Sequence, residues 1–223
     1  MNNIKKFKSI LSNETSIIGK ERYLNSAVLI PIVVMNDDEF ILFEKRSATV
    51  KQSGEVSFPG GHFDENCDTD FLSTAIRETS EELGIASEKI NVLGKLGTLV
   101  APMGIIVETY VGLLDIQNIS ELYIDQNEVE RIFLIPLEHF LNTEPEHFNI
   151  RLEIHPYTVF ENGEKQELLP VKELGLPEKY SYPWKTEKHR VLVYRNNEEV
   201  IWGITAELIY DLSKKIRMNY EQV

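Results

Sequence analysis

Apolar and polar residues follow one another along this chain in two rhythms. Residues 27 to 34 and 40 to 44 are nearly continuous apolar runs on either side of Asn36-Asp37-Asp38, and short runs bounded by turn formers predict a β-hairpin. Pro31 lacks an amide hydrogen and predicts a kink or an edge in the first strand. From residue 70 to 83 the spacing becomes helical: Leu72, Ile76, Thr79 and Leu83 share one face, which places Glu78, Glu81 and Glu82 away from the packing side. Gly84 then reads as the residue just past the helix end.

Strand-like runs return over residues 92 to 100 and 105 to 114, joined by Ala101-Pro102-Met103-Gly104, and over residues 131 to 135 before a short helix starting at Pro136. Two more hairpins are expected, one in residues 151 to 160 turning at Asn162-Gly163 and one in residues 190 to 195 turning at Asn196-Asn197. Thr205 is placed to cap a last helix with Leu208, Ile209, Leu212 and Ile216 inward, and Trp202 just before it reads as a core aromatic. At the other end Ile4, Phe7, Ile10 and Leu11 have the spacing of a short amphipathic helix. The sum is an α/β chain with a mixed sheet. Its 223 residues suit one domain, with residues 1 to 24 as a helical extension and 141 to 200 as a hairpin-rich insertion before the last helix.

Composition narrows the partners. A net charge of −13, from 36 acidic and 23 basic residues, disfavours nucleic acid and anionic membrane surfaces. No apolar run approaches the ~20 residues that cross a bilayer, and the N-terminus has no uninterrupted apolar core for secretion. The single cysteine, Cys67, cannot close an internal disulfide. These features predict a soluble, cytoplasmic protein, with a homodimer left open.

The chemistry concentrates in Arg77-Glu78-Thr79-Ser80-Glu81-Glu82-Leu83-Gly84. Carboxylates in the last turn oppose the helix dipole by ~0.3–1 kcal/mol each at exposed sites, and Glu78 and Glu82 repel each other at i, i+4. A bound divalent cation reverses both effects, and oxygen-only donors suit Mg²⁺ or Mn²⁺. Arg77 can reach Glu81 on the next turn and hold the carboxylate face in shape. Upstream, Gly54-Glu55-Val56-Ser57-Phe58-Pro59-Gly60-Gly61 supplies a strand and a Gly-Gly turn that lets backbone approach a ligand.

Together these residues resemble the Nudix box, the loop-helix-loop motif of hydrolases that cleave a nucleoside diphosphate linked to another moiety; its Arg-Glu-x-x-Glu-Glu-x-Gly core is matched in full. Thr69 stands where the spacing of that box has a glutamate, with Asp64, Glu65, Asp68 and Asp70 nearby. Arg46-Ser47, the glycine turn, Thr74-Ala75-Ile76 and the distant Ile201-Trp202-Gly203-Ile204-Thr205-Ala206 are similar to the coenzyme A diphosphatase branch, although Val50-Lys51-Gln52 departs from its Leu-Arg-x-His.

The resemblance implies an α/β/α sandwich and metal held by Glu78, Glu81, Glu82 and the Gly60 carbonyl. It also implies substrate contacts from Arg46, Lys51 and Gly61, and a general base among Glu82, Glu128 and Glu130. The expected reaction is hydrolysis of coenzyme A or its acyl derivatives. ADP-ribose, a dinucleotide or a modified nucleotide is the alternative substrate, and a ligand-sensing module without turnover is the alternative of another kind.

Overall fold

Asn36 and Asp37 both adopt positive φ, 54° and 68°, as a two-residue hairpin turn demands and as Asn and Asp tolerate better than other side chains. In the computed structural model, which describes residues 16–185, 188–196 and 199–220, this turn joins β1 (Leu24–Met35) to β2 (Asp38–Arg46). The amphipathic helix expected over Ile4, Phe7, Ile10 and Leu11 lies outside the described residues, as does Asn197. The chain divides into two compact units, Met1–Glu138 and His139–Val223.

The first unit is built on a mixed sheet. β1 and β2 pair antiparallel only near their turn, from Ile32 with Ile41 to Met35 with Asp38. Beyond that the two strands part, and the gap is filled by β3 (Val56–Ser57), which pairs with Glu44 and Lys45, and β4 (Gly60–His62), which pairs with residues 26 to 28. Phe58-Pro59 crosses between them, and the Leu29 amide donates to the Pro59 carbonyl at 3.0 Å. The Gly-Gly turn is thereby wedged into the middle of the sheet. β5 (Ile90–Ala101) and β6 (Ile105–Leu114) form a long antiparallel pair, β6 runs parallel to β1, and β7 (Val129–Pro136) pairs along β2.

Pro31 sits neither at an edge nor in a break. β1 is a central strand, and Pro31 falls between the stretch that pairs with β4 and the stretch that pairs with β2. A missing amide hydrogen is tolerated where a strand changes partner.

Helix α1 (Phe71–Leu83) packs on this sheet. Ala75 and Leu83 join Ala27, Leu29, Val33 and Leu42 in the core, with Phe71 and Ile76 partly buried against it. Each fully buried aliphatic side chain of this kind stabilises by about 1.5–3 kcal/mol. Because strand side chains alternate, Leu42 faces α1 while Phe43 faces the other way, where it stacks between Phe58 and Phe133 at centroid distances of 5.1 and 5.5 Å. Glu44 and Arg46 share the Leu42 side by the same alternation.

The second unit contains β8 (Glu146–Ile150), β13 (His189–Arg195) and β14 (Val200–Trp202) in one antiparallel sheet. Two small ribbons accompany it, β9 (Glu153–Ile154) with β12 (Trp184–Lys185) and β10 (Tyr157–Val159) with β11 (Lys165–Glu167). The α2 helix (Leu137–Asn142) lies in residues where the two units adjoin in sequence, and α3 (Gly203–Tyr220) ends the described chain. Leu208, Ile209 and Leu212 are buried as their spacing predicts. Two expectations are corrected here. Thr205 is a buried residue inside α3, which starts at Gly203, so it is not the cap, and Trp202 is 47% exposed because its short strand turns the indole outward. The architecture is mixed α/β with a mixed sheet, and no described helix is long and apolar enough to cross a membrane.

Candidate active site

Both ends of α1 are fixed locally. Asp70 caps the N-terminus, accepting from the Ser73 amide at 2.8 Å while Ser73 Oγ accepts from the Asp70 amide. Gly84 ends the helix in the left-handed region at φ 60°, where a Cβ would run into the Tyr123 carbonyl. The last carbonyls are not left bare: Leu83 accepts from the Tyr123 amide and Glu82 from the Asp125 amide, each at 3.0 Å. That docking draws the 123 to 128 segment against the helix end. The Ser47 amide then donates to the Glu128 carbonyl at 2.9 Å, which sets Glu128 beside the end of β2.

The carboxylates do not lie opposite the packing face. The buried stripe of α1 contains Ala75, Thr79, Glu82 and Leu83, and Glu82 is only 3% exposed. Its Oε2 accepts from the Gly60 amide at 2.8 Å. A Cβ on Gly60 would strike the Ala27 carbonyl, so only glycine brings this backbone so close. The Gly60 amide is thereby tied to Glu82, so the glycine turn and the carboxylate cluster meet at this residue. Gly61 lies under the Glu78 carboxylate, where a side chain would collide with it.

Glu44, which the sequence reading passed over, is the second buried acid. It is 1% exposed; Ser57 Oγ donates to Oε1 at 2.9 Å, and Oε2 is buried without a partner. Burial first, then the charges of Glu128 and Glu78, push its carboxyl well above the ordinary range, against the pull of Ser57 and Arg46. Glu82 is raised by burial and by Glu44, and Glu78 by burial against the pull of Arg77. These groups thus form one crowd of carboxyls in a poorly solvated place, where burial resists their ionisation. The period of the strand offered a signal, since Glu44 follows the inward Leu42 by two.

Arg77 does more than reach Glu81. Its Nε and Nη2 grip the two oxygens of Asp68 at 2.9 and 3.0 Å, while Nη1 lies 2.8 Å from Glu78 and 3.0 Å from Glu81. Asp68 also accepts from Thr74 Oγ1 and the Asp64 amide, and the Arg77 guanidinium holds it well below the usual carboxylate range. Asp68, one residue before Thr69, is thus the acid that this loop pairs with Arg77. A loop of a different length presents a shorter acid from one residue earlier.

Glu81 is exposed and turned to Arg77, so Glu78, Glu81 and Glu82 do not make a ready triad. Among the described residues no three His, Cys, Asp or Glu side chains stand arranged to hold a metal. The donors are occupied by Arg77 and the Gly60 amide instead. Arg46 lies close enough to act electrostatically on both Glu44 and Glu82, so it is not remote from this cluster. Its Nε donates to the Lys51 carbonyl at 3.1 Å, and the Lys51 side chain is exposed in the loop so formed. Glu128 is exposed beside the cluster, whereas no interaction ties Glu130 to it among the described residues. In donor chemistry, an oxygen-only, buried set with one orphaned oxygen suits a hard divalent cation, while its present arrangement is set by Arg77 and the Gly60 amide.

A family model described as the NUDIX domain matches residues 25–157. The uncharacterized Nudix hydrolase NudL of Photorhabdus laumondii is 31% identical over 195 residues, covering 87% of this chain and 86% of that protein. Its namesake in Yersinia pestis is 29% identical over 218 residues, 96% of this chain and 92% of the other. Among solved structures, the NUDIX domain of Shewanella oneidensis NrtR complexed with ADP ribose aligns at a TM-score of 0.43 and 19% identity, covering 63% of this chain and 87% of that one. With its Arg77-to-Gly84 core carried on α1 and the family match spanning more than half its length, the chain belongs to the Nudix hydrolase family.

Proposed function

We propose that the protein hydrolyses the diphosphate of coenzyme A or an acyl derivative, using Mg²⁺ or Mn²⁺ held by Glu78 and Glu82 with support from Glu81 and the Gly60 backbone. As a Nudix hydrolase it acts on diphosphate-containing substrates. The observation that carries the cation is the burial of the neighbouring carboxyls Glu82 and Glu44 with one oxygen left unpartnered. A cation held by these residues would supply charge to neutralise the diphosphate and polarise phosphorus.

The chain's own groups supply the rest. Arg77, braced by Asp68, fixes the last turns of α1 so that the carboxylates keep their positions. Glu128, exposed beside the cluster, takes the proton of the attacking water. Water oxygen bonds to one phosphorus as the bridging P–O bond breaks, giving phosphopantetheine and adenosine 3′,5′-bisphosphate. Phosphoryl transfer needs positioning and charge more than a protein nucleophile, and no nucleophile is required here. Arg46 and the loop holding Lys51 offer positive charge to the remaining phosphates, and Gly61, having no Cβ, lets the Glu78 carboxylate lie against the backbone. The choice of coenzyme A rests on the segments around Arg46, Phe58 and Trp202.

Product analysis decides it. Hydrolysis of coenzyme A with a higher kcat/KM than ADP-ribose or nucleoside triphosphates, abolished by chelator, is expected. A clear preference for ADP-ribose would assign the protein another substrate, and full turnover in chelator would remove the cation.

A further inference from the structure

We propose that Glu44 is a further cation-binding carboxylate of this site, contributed by strand β2 where the sheet faces α1. The inference rests on the cation site argued above and extends it to a residue outside the Arg77-to-Gly84 core.

Glu44 is among the least expected residues of its strand. Ile41, Leu42 and Phe43 before it are fully buried and apolar, and Glu44 itself is 1% exposed. A carboxylate placed there without function loses its hydration for a single hydrogen bond from Ser57 at 2.9 Å. Valine or leucine would fill the position at no such cost. The protein could have satisfied the second oxygen, as it does at Asp68, where every oxygen meets a donor. Instead Glu44 Oε2 is left buried with no donor, in electrostatic contact with Glu78, Glu82 and Glu128.

Each of those neighbours is an acceptor, so only a cation or a proton can satisfy them together. Arg46 acts electrostatically on both Glu44 and Glu82, yet its Nε is directed to the Lys51 carbonyl and it makes no hydrogen bond to Glu44 Oε2. Ser57 tethers Oε1 and leaves Oε2 without a donor, and a supporting hydrogen bond of this kind orients a ligand.

The test is Mn²⁺ binding to the intact protein, followed by calorimetry and by the spin-resonance signal of free Mn²⁺, for wild type, Glu44→Gln, Ser57→Ala and Glu39→Gln. Glutamine keeps the size of Glu44 and can still accept from Ser57, so the fold is retained. Ser57→Ala leaves the carboxylate in place and releases only its tether. Glu39 lies exposed on the same strand and serves as control. The expected result is a weakening of Mn²⁺ affinity by roughly ten- to a hundredfold in Glu44→Gln, or loss of one bound ion, with a smaller loss in Ser57→Ala and none in Glu39→Gln. Wild-type stoichiometry and affinity in Glu44→Gln would overturn the assignment of Glu44 while leaving the site itself standing. Absence of Mn²⁺ binding in the wild type would overturn the site and Glu44 with it.

Discussion

Asp68 and Glu44 are both buried acids next to the same helix, and the protein treats them oppositely. Asp68 is gripped at both oxygens by Arg77 and also takes hydrogen bonds from Thr74 and the Asp64 amide. Glu44 has one donor, an orphaned oxygen and acidic neighbours. The first is a finished structural contact, complete without any ligand. The second is unfinished, and Glu82 beside it has only the Gly60 amide. Stability is concentrated where the loop meets α1, and chemical demand where α1 meets the sheet.

The contrast breaks most sharply at Glu82. Glu82→Gln should lower kcat/KM by at least the roughly hundredfold seen for weaker perturbations of metal sites, while leaving the metal-free fold as stable as wild type or more so. Steady-state kinetics beside thermal unfolding in chelator check both halves. A variant that loses activity only because it unfolds would place Glu82 with Asp68 among the structural acids.

Asp68→Ala should behave in the opposite way. It strands Arg77, Thr74 and a backbone amide, and should cost about 2–3 kcal/mol of stability with or without divalent cation. Denaturant unfolding measures it. An Asp68→Ala protein of unchanged stability would remove the structural role.

Arg46→Ala should raise KM for coenzyme A about tenfold, since a charge-assisted contact to phosphate contributes on the order of 1.5–3 kcal/mol, and an exposed one less. If the contact is the 3′-phosphate, dephospho-coenzyme A should be nearly insensitive. Because Arg46 also acts on Glu44 and Glu82, a fall in kcat with unchanged KM would reassign it to the carboxylate cluster.

The smallest effect is in the pH dependence of stability. Glu44 and Glu82 bind protons more tightly in the folded chain than at their ordinary 4.5. Their contribution is therefore full below pH 4.5 and is lost as pH rises through the neutral range and beyond. Asp68 has the opposite sign: its contribution is present above its ordinary 3.8 and is lost only as pH falls through its depressed folded value. Melting temperature in chelator should thus decline with rising pH more steeply in wild type than in Glu82→Gln. Parallel slopes would contradict the burial of an unpaired charge.

Much of this was legible in sequence, and what was missed has physical causes. The β1–β2 turn and the end of α1 at Gly84 follow from local backbone preferences, which a few residues determine. Hydrophobic spacing centres the buried stripe of α1 on Leu72, Ile76, Thr79 and Leu83, whereas Ala75 and Glu82 are buried and Leu72 is not. Periodicity weighs hydrophobicity and cannot register an acid buried for chemistry. Asp68 was hidden because its pairing with Arg77 depends on how a loop folds back, not on helical spacing. Glu44 was visible only as an exception within an inward-facing run. The short ribbons of the second unit carry turn signals, yet Trp202 shows how little a three-residue strand constrains which way a side chain faces.

The central claim is that the acids of α1 and β2 hold a divalent cation, and diffraction from crystals soaked in Mn²⁺ tests it most directly. The account predicts an anomalous peak within coordination distance of Glu78, Glu82 and Glu44, with Arg77 still bound to Asp68. Peaks confined to other acidic surfaces, with Glu44 and Glu82 unmoved and unliganded, would contradict it.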